Sequence, residues 1–189
     1  AGGLGVLENA MGELGEELKD LDWQLEQKNI ERTLDRIWKQ NNWTGEADRF
    51  AYDLARDLSA IPPWQLTDRF ELMTNRTAAR YGLDPHNTTR MKGMALREVS
   101  GFLIRNCGTI FKQTREYAKL RLQDKPFTPE MIAEWVDEGA PLFDEMDEMI
   151  GRFVQEIEPI VPSDKKEALH ADMESYGRRR LYMEEMTAR

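Results

Sequence analysis

The chain has 189 residues and carries 35 acidic against 26 basic side chains, a formal net charge of −9. A chain this acidic exerts no long-range attraction on nucleic acid or anionic lipid, so neither is an expected partner. No apolar run approaches the ~18 residues that would indicate a transmembrane segment, and abundant Leu, Met, Glu, Arg and Ala favour helices.

The first predicted element is an amphipathic helix over residues 4–25, whose apolar residues are spaced alternately by three and four. This spacing is a heptad seam, which requires a partner helix. Residues 1–42 are therefore predicted to form a coiled-coil-like extension that binds protein, either a second copy or a complex partner. The predicted protein-binding residues are Leu4, Leu7, Met11, Leu14, Leu18, Leu21 and Leu25. The phase then changes, so the helix either breaks near residue 28 or meets different neighbours along its length.

Residues 43–189 are predicted to form a helical bundle domain. Thr44 is the expected N-cap of an amphipathic helix that ends at Pro62. Pro63 is expected to open the next helix, and Gly82 to end it.

Two long helices with opposite charge follow. Asp84 is the expected N-cap of the first, which runs to about Gln123, and Thr128 is the expected N-cap of the second. Residues 83–125 hold nine basic and four acidic side chains, whereas residues 130–158 hold one basic and ten acidic. A short turn joins these helices, so they are predicted to pair antiparallel, with residues equidistant from about position 126 side by side.

Apolar residues on both long helices define the predicted seam of this hairpin, and Pro141 is expected to bend the second helix. The residues expected to face each other are Trp135, Phe143, Met146, Ile150 and Phe153 on one helix and Val99, Phe102, Leu103, Ile110 and Tyr117 on the other. Ser163 is the expected cap of a last helix. The run Arg178-Arg179-Arg180 is interpreted as its solvated end. The predicted fold class is all-α, an antiparallel helical bundle built on this hairpin.

Candidate chemistry is sparse. Glu167 and His170 have the i, i+3 spacing of half a di-iron signature, but His86, the second histidine, has no glutamate three positions before it. We interpret the pair as solvated, with a weak zinc site using these three residues as the alternative. Cys107 is interpreted as a small buried hydrophobe. No catalytic residue and no cofactor are predicted.

From Leu83 to about Arg180 the layout resembles the Spy/CpxP-like periplasmic family, whose mark is Leu-Thr-x-x-Gln, twice, each at a helix start. Leu83, Asp84 and Asn87 stand where the first copy is expected, and Val161 and Lys165 near the second. The resemblance implies an all-helical protein with a long bent hairpin, often dimeric, that acts as a stress chaperone or zinc-responsive sensor in the periplasm.

The predicted function is therefore non-enzymatic protein binding, chaperone-like or stress-sensing, in the cell envelope. Two alternatives remain open at this point. One is a structural subunit of a larger complex, docked through residues 4–25. The other is a zinc-binding sensor. A homo-oligomer or complex subunit is expected in either of the protein-binding cases, and a cytoplasmic location stays open.

Overall fold

The computed structural model describes residues 2–17, 23–62 and 64–187. These ranges hold seven α-helices, two short 3-10 turns and no strand, which confirms the predicted all-α bundle. The helices are α1 (Gly2–Glu17), α2 (Trp23–Asn41), α3 (Glu46–Ser59), α4 (Leu66–Arg80), α5 (Pro85–Leu122), α6 (Pro129–Ile157) and α7 (Lys166–Thr187). None of the helices in these ranges is long and apolar enough to cross a membrane.

The α5/α6 hairpin is the frame of the molecule, and its predicted caps are confirmed. The Asp84 carboxylate accepts from the Asn87 amide at 2.7 Å, and the Thr128 hydroxyl oxygen accepts from the Met131 amide at 3.3 Å. Each cap satisfies one N–H that the first helical turn leaves free. At the tip, Asp124 adopts a φ of 49°, which ends α5 and starts the reversal.

Contacts between α5 and α6 confirm the predicted register. Arg105 pairs with Glu145, and Lys112 Nζ lies 2.5 Å from a Glu138 carboxylate oxygen. The Trp135 indole nitrogen donates to Glu116 at 2.9 Å. The midpoints of these pairs fall close to position 126, and the positive and negative helices lie side by side as their charges predict.

The main core lies where the base of the hairpin meets α4 and α7. Its buried members are Ala78, Tyr81, Met91, Ile157, Val161 and Leu169, with Phe153 packed against them. These side chains come from four helices, from the residue that follows α4 and from the turn before α7, so their burial joins the hairpin to the rest of the bundle.

The two N-terminal helices meet different neighbours. The first, α1, packs on α5 and α4, and α2 packs on α3. The predicted break near residue 28 is wrong, because α2 runs through that position to Asn41. The alternative was that this segment meets different neighbours along its length, and the structure agrees with it. The division at residues 42/43 into an extension and a bundle domain stays a prediction.

Three predicted helix starts differ from the structure. The N-cap of α3 is Gly45, whose carbonyl accepts from the Arg49 amide at 3.0 Å, and not Thr44. Pro63 lies outside the described residues, and α4 begins after it, at Leu66. Ser163 opens a 3-10 turn before α7 and makes no cap hydrogen bond there. In each case the α-helix begins a few residues later in the chain than the side-chain chemistry alone indicates.

Two side chains predicted to be buried are exposed. Cys107 is exposed, so its interpretation as a small buried hydrophobe is wrong. Phe143 is 48% exposed and does not lie in the α5/α6 seam. The apolar stripe of α6 is too wide for one neighbour, so Phe143 faces α7 instead.

Candidate protein-binding site

Part of the predicted binding seam of α1 packs against other helices of its own chain. Met11 is buried against Trp64, Leu66, Leu103 and Phe111, so this position of the seam contributes to an intramolecular core. Leu18 and Leu21 lie outside the described residues. The side chains of Leu4, Leu7, Leu14 and Leu25 also lie outside what the structure describes. A docking role for the remaining seam stays a prediction.

The candidate metal ligands do not form a cluster. His170 is exposed, and its ring nitrogen lies 3.1 Å from Glu158 rather than against Glu167. His86 is exposed at the start of α5, on a different helix from His170. Among the described residues no group of three His, Cys, Asp or Glu side chains could hold a metal ion.

A buried charge cluster, not predicted from the sequence, joins α3 to α7. Asp48 is only 5% exposed; it accepts from the fully buried Ser175 hydroxyl and pairs with Arg179 at 3.0 Å and with Arg178 at 3.4 Å. Burial lowers the pKa of Arg179, and Asp48 partly opposes that shift. The interpretation of the arginine run as a solvated helix end is therefore wrong for Arg179 and Arg180, since both are mostly covered and α7 continues to Thr187, whereas Arg178 stays 55% exposed.

A second, partly buried group extends this cluster to α4. Arg80 donates two hydrogen bonds to Asp172, at 3.0 and 2.8 Å, and also pairs with Glu46. The Tyr81 hydroxyl donates to Asp172 at 2.9 Å; burial, then the charge of Asp172, raises the pKa of Tyr81. Every charge in the two groups faces an opposite one, so they fix the position of α7 on α3 and α4.

Next to this anchored helix lies an open cleft between α6 and α7, which we call the α6–α7 cleft. Its volume is about 400 Å³. Its lining is mostly apolar on the α6 side and polar on the α7 side. The lining residues are Val136, Ala140, Phe143, Asp144 and Met146 of α6 and Tyr176, Arg179, Arg180 and Glu184 of α7.

One arginine covers part of the cleft floor. The Arg180 guanidinium lies 5.2 Å from the centre of the Phe143 ring, a cation–π contact. It is also paired with Glu184 at 2.9 Å, Asp147 at 3.2 Å and Asp144 at 3.7 Å. Because these carboxylates compensate its charge, Arg180 adds the flat face of its guanidinium group to the cleft surface and little net positive charge.

The other described cavities are less suited to a polypeptide. A groove of about 600 Å³ between α5 and α6 is lined almost entirely by charged side chains that already pair across the hairpin, among them Arg105 and Glu145. A cavity beside Trp38 and Tyr52 holds only about 130 Å³. The volumes of the cleft and of the charged groove both fall in the range of about 300–1,000 Å³ that is typical of binding pockets, so the apolar α6 wall, and not the size, distinguishes the cleft.

The exposure of apolar residues also distinguishes the cleft. Phe143 is 48% exposed and shares one face of α6 with Val136 and Ala140, which also line the cleft. Ile132 on α6, Ile104 on α5 and Leu181 on α7 are exposed too, but none of these three lines the cleft. The sequence indicates this surface only as an apolar stripe on α6 that is wider than one neighbouring helix can cover, and the predicted hairpin seam includes Phe143 in it.

No family model, no curated protein and no solved structure matches this chain. The resemblance to the Spy/CpxP-like family therefore stays an expectation.

Proposed function

We propose that this protein is a non-enzymatic, protein-binding helical module that holds an apolar segment of another polypeptide in the α6–α7 cleft. The observation that carries the proposal is Phe143, a large aromatic side chain that is half exposed on the mostly apolar α6 wall of the cleft. Full burial of such a side chain contributes about 1.5–3 kcal/mol, so covering its exposed half favours binding by about 1 kcal/mol.

The cleft also has a rigid wall, which supports recognition rather than accidental exposure. The α7 wall is fixed by the Asp48 and Asp172 clusters, and the α6 wall by its ion pairs with α5. A preformed site loses less conformational entropy on binding than a mobile one.

A chaperone-like or stress-sensing role in the cell envelope is the form of this activity that the family resemblance implies, and we retain it in the proposal. Assembly into a homo-oligomer or complex is likewise retained. Docking of a structural subunit through α1 has less support, because Met11 is buried in its own chain. A zinc sensor has less support as well, because His170 lies against Glu158 alone.

The test is suppression of client aggregation by the purified chain. We expect the wild-type protein to suppress aggregation of a reduced, unrelated client, and Phe143→Ser to lose most of that effect. Leu181→Ser is the matched control, because Leu181 is 61% exposed but lies outside the cleft. Equal suppression by both variants would show that the cleft is not the binding site; no suppression by the wild type argues against the chaperone form.

A further inference from the structure

One face of α5 is open to solvent along the outer half of the hairpin. It consists of Ile104, Gly108, Arg115, Lys119 and Leu122, which follow one another at helical spacing and are all exposed, and we call it the α5 face. Ile104 is 58% exposed and Leu122 is 42% exposed. Within the described part of the chain neither Arg115 nor Lys119 forms an ion pair. The α5 face is therefore basic, with an exposed apolar residue at each end.

A corresponding face of α6 is open and acidic. It consists of Glu130, Glu134, Asp137, Pro141 and Glu148, again at helical spacing and all exposed, and we call it the α6 face. Among the residues that the structure describes, no cation lies within ion-pair distance of Glu130, Glu134 or Asp137. The α6 face therefore carries acidic charges that the chain itself does not neutralise.

The two faces lie on the same side of the hairpin. Lys112 pairs with Glu138 at the edge where α5 and α6 meet, and it lines one open groove together with Arg115 and Lys119. The hydrogen bond to Glu138 raises the pKa of Lys112, and the charge of Glu134, one turn away on α6, acts in the same direction. The hairpin therefore presents one surface, basic along α5 and acidic along α6, which we call the front surface.

The front surface is large enough for a specific interface. From Ile104 to Leu122 it is about 27 Å long, and two helices side by side are about 22 Å wide. Two such surfaces facing each other bury about 1,200 Å² in total, which is at the lower end of the range for specific interfaces. A Cβ atom added at Gly108 would meet nothing within 4 Å, so no side chain of the same chain covers the middle of the α5 face.

Charge complementarity selects one symmetric arrangement of two copies. A two-fold axis parallel to the hairpin places the α5 face of each copy on the α6 face of the other, so basic residues meet acidic ones. A two-fold axis across the hairpin would instead place α5 on α5 and α6 on α6, with like charges opposed. Only the first arrangement pairs the charges that are unpaired within one chain.

The register of the hairpin then determines which residues meet. Rotation about the parallel axis keeps each residue at its own level along the hairpin, where Lys112 of α5 is level with Glu138 of α6. Arg115 of one copy therefore comes to within about two residues, or about 3 Å along the axis, of the level of Asp137 of the other. Lys119 comes equally close to the level of Glu130. Long basic side chains span such an offset.

We propose that a second copy of this chain docks on the front surface, forming a homodimer whose two-fold axis runs parallel to the hairpin. In this dimer Arg115 of each copy pairs with Asp137 of the other. Lys119 pairs with Glu130 in the same way. None of the acidic residues of the α6 face lines the α6–α7 cleft, so dimer formation and the binding of an apolar segment are separate properties of the chain.

The experiment is sedimentation velocity on the full chain at about 0.1 M salt, where repulsion between the net charges of −9 is screened beyond about 10 Å. The wild type is expected to dimerise as its concentration rises to about 100 μM, since a modest interface of exposed pairs gives micromolar affinity. A wild type that stays monomeric up to this concentration would overturn the proposal.

Two charge-reversed variants locate the interface. One carries Arg115→Glu and Lys119→Glu, and the other carries Glu130→Lys and Asp137→Lys. Each alone is expected to raise the dissociation constant of the dimer at least about tenfold, because four exposed pairs become repulsive and each is worth about twofold or more. A dimer that neither variant weakens would use another surface, such as α1, and would overturn the proposal.

Mixing the two variants gives the decisive result. In a dimer of one variant with the other, each α5 face again meets an α6 face of opposite charge, so an equimolar mixture is expected to dimerise as the wild type does. A mixture that stays monomeric would overturn the proposal. The control Asp164→Lys with Glu174→Lys reverses two exposed acidic charges outside the front surface. A loss in this control equal to that of the α6 variant would show an effect of net charge alone and would also overturn it.

Discussion

Replacing Asp48 with alanine tests the anchoring of α7 most sharply. Asp48 is almost completely buried, and its carboxylate pairs with Arg179 and Arg178 and accepts the Ser175 hydroxyl hydrogen bond. The substitution leaves Arg179, which is 22% exposed, and Ser175 without their main acceptor. We expect α7 to lose its attachment to α3, and with it the α7 wall of the cleft.

The size of the effect follows from burial. Removing one partner of a buried ion pair costs about 3–5 kcal/mol, because the remaining charge is left uncompensated. Arg179 retains some solvent contact and feels the nearby charge of Asp172, so we expect the low end, about 3 kcal/mol. That is a large share of the 5–15 kcal/mol by which typical domains are stable.

Urea unfolding followed by circular dichroism measures this cost. With an m-value of about 2–3 kcal/mol per molar urea, Asp48→Ala should lower the midpoint by about 1–1.5 M. Asp164→Asn, at an exposed position, is the control and should change stability by less than about 0.5 kcal/mol. A loss below about 1 kcal/mol for Asp48→Ala, with helix content unchanged, would show that this carboxylate does not anchor α7.

Four further outcomes are expected. Met11→Ala should destabilise the monomer by about 2–4 kcal/mol in urea unfolding, since its side chain fills a core; an unchanged midpoint would place α1 elsewhere. Phe153→Ala should cost about 2–3 kcal/mol by the same assay, less than the 3–5 of a fully buried ring, because Phe153 is only half buried. Burial and a hydrogen bond to Glu26 raise the pKa of Tyr117 to about 12, above its value of 10.0 in unfolded chains. The neutral Tyr117 therefore contributes fully to the free energy of unfolding below pH 10, and this contribution is lost as pH rises through 12. Unfolding midpoints measured between pH 10 and 12 should fall less steeply in Tyr117→Phe than in the wild type. Replacing the exposed His170 with alanine should change neither melting temperature nor zinc uptake, and a lost tight site in calorimetry would contradict this.

Local chemistry made much of the hairpin predictable. Asp84 and Thr128 cap their helices as their side chains require, and the short turn fixes the register of α5 against α6. These features depend on residues close together in sequence, or on one turn length, so a single sequence contains them.

Features that depend on distant residues were missed. Asp48 lies in the first turn of α3, where acidic residues are common and usually solvated, and nothing local indicates that it is buried against Arg179 of α7. Phe143 belongs to an apolar stripe whose position is clear from the sequence, but the share covered by each neighbour is not. The candidate site could not be predicted for the same reason, because the cleft exists only when α7 is anchored beside α6.

Photocrosslinking from single positions shows whether a polypeptide binds in the α6–α7 cleft. A photoreactive residue at Ala140, an exposed alanine lining the cleft, is compared with one at Ala171, an exposed alanine of α7 outside it. We expect a labelled amphipathic helical peptide with Leu on one face to crosslink strongly from position 140 and weakly from position 171, and Phe143→Ser to abolish the difference. Equal crosslinking from both positions in the wild-type background would contradict the claim that the α6–α7 cleft binds polypeptide.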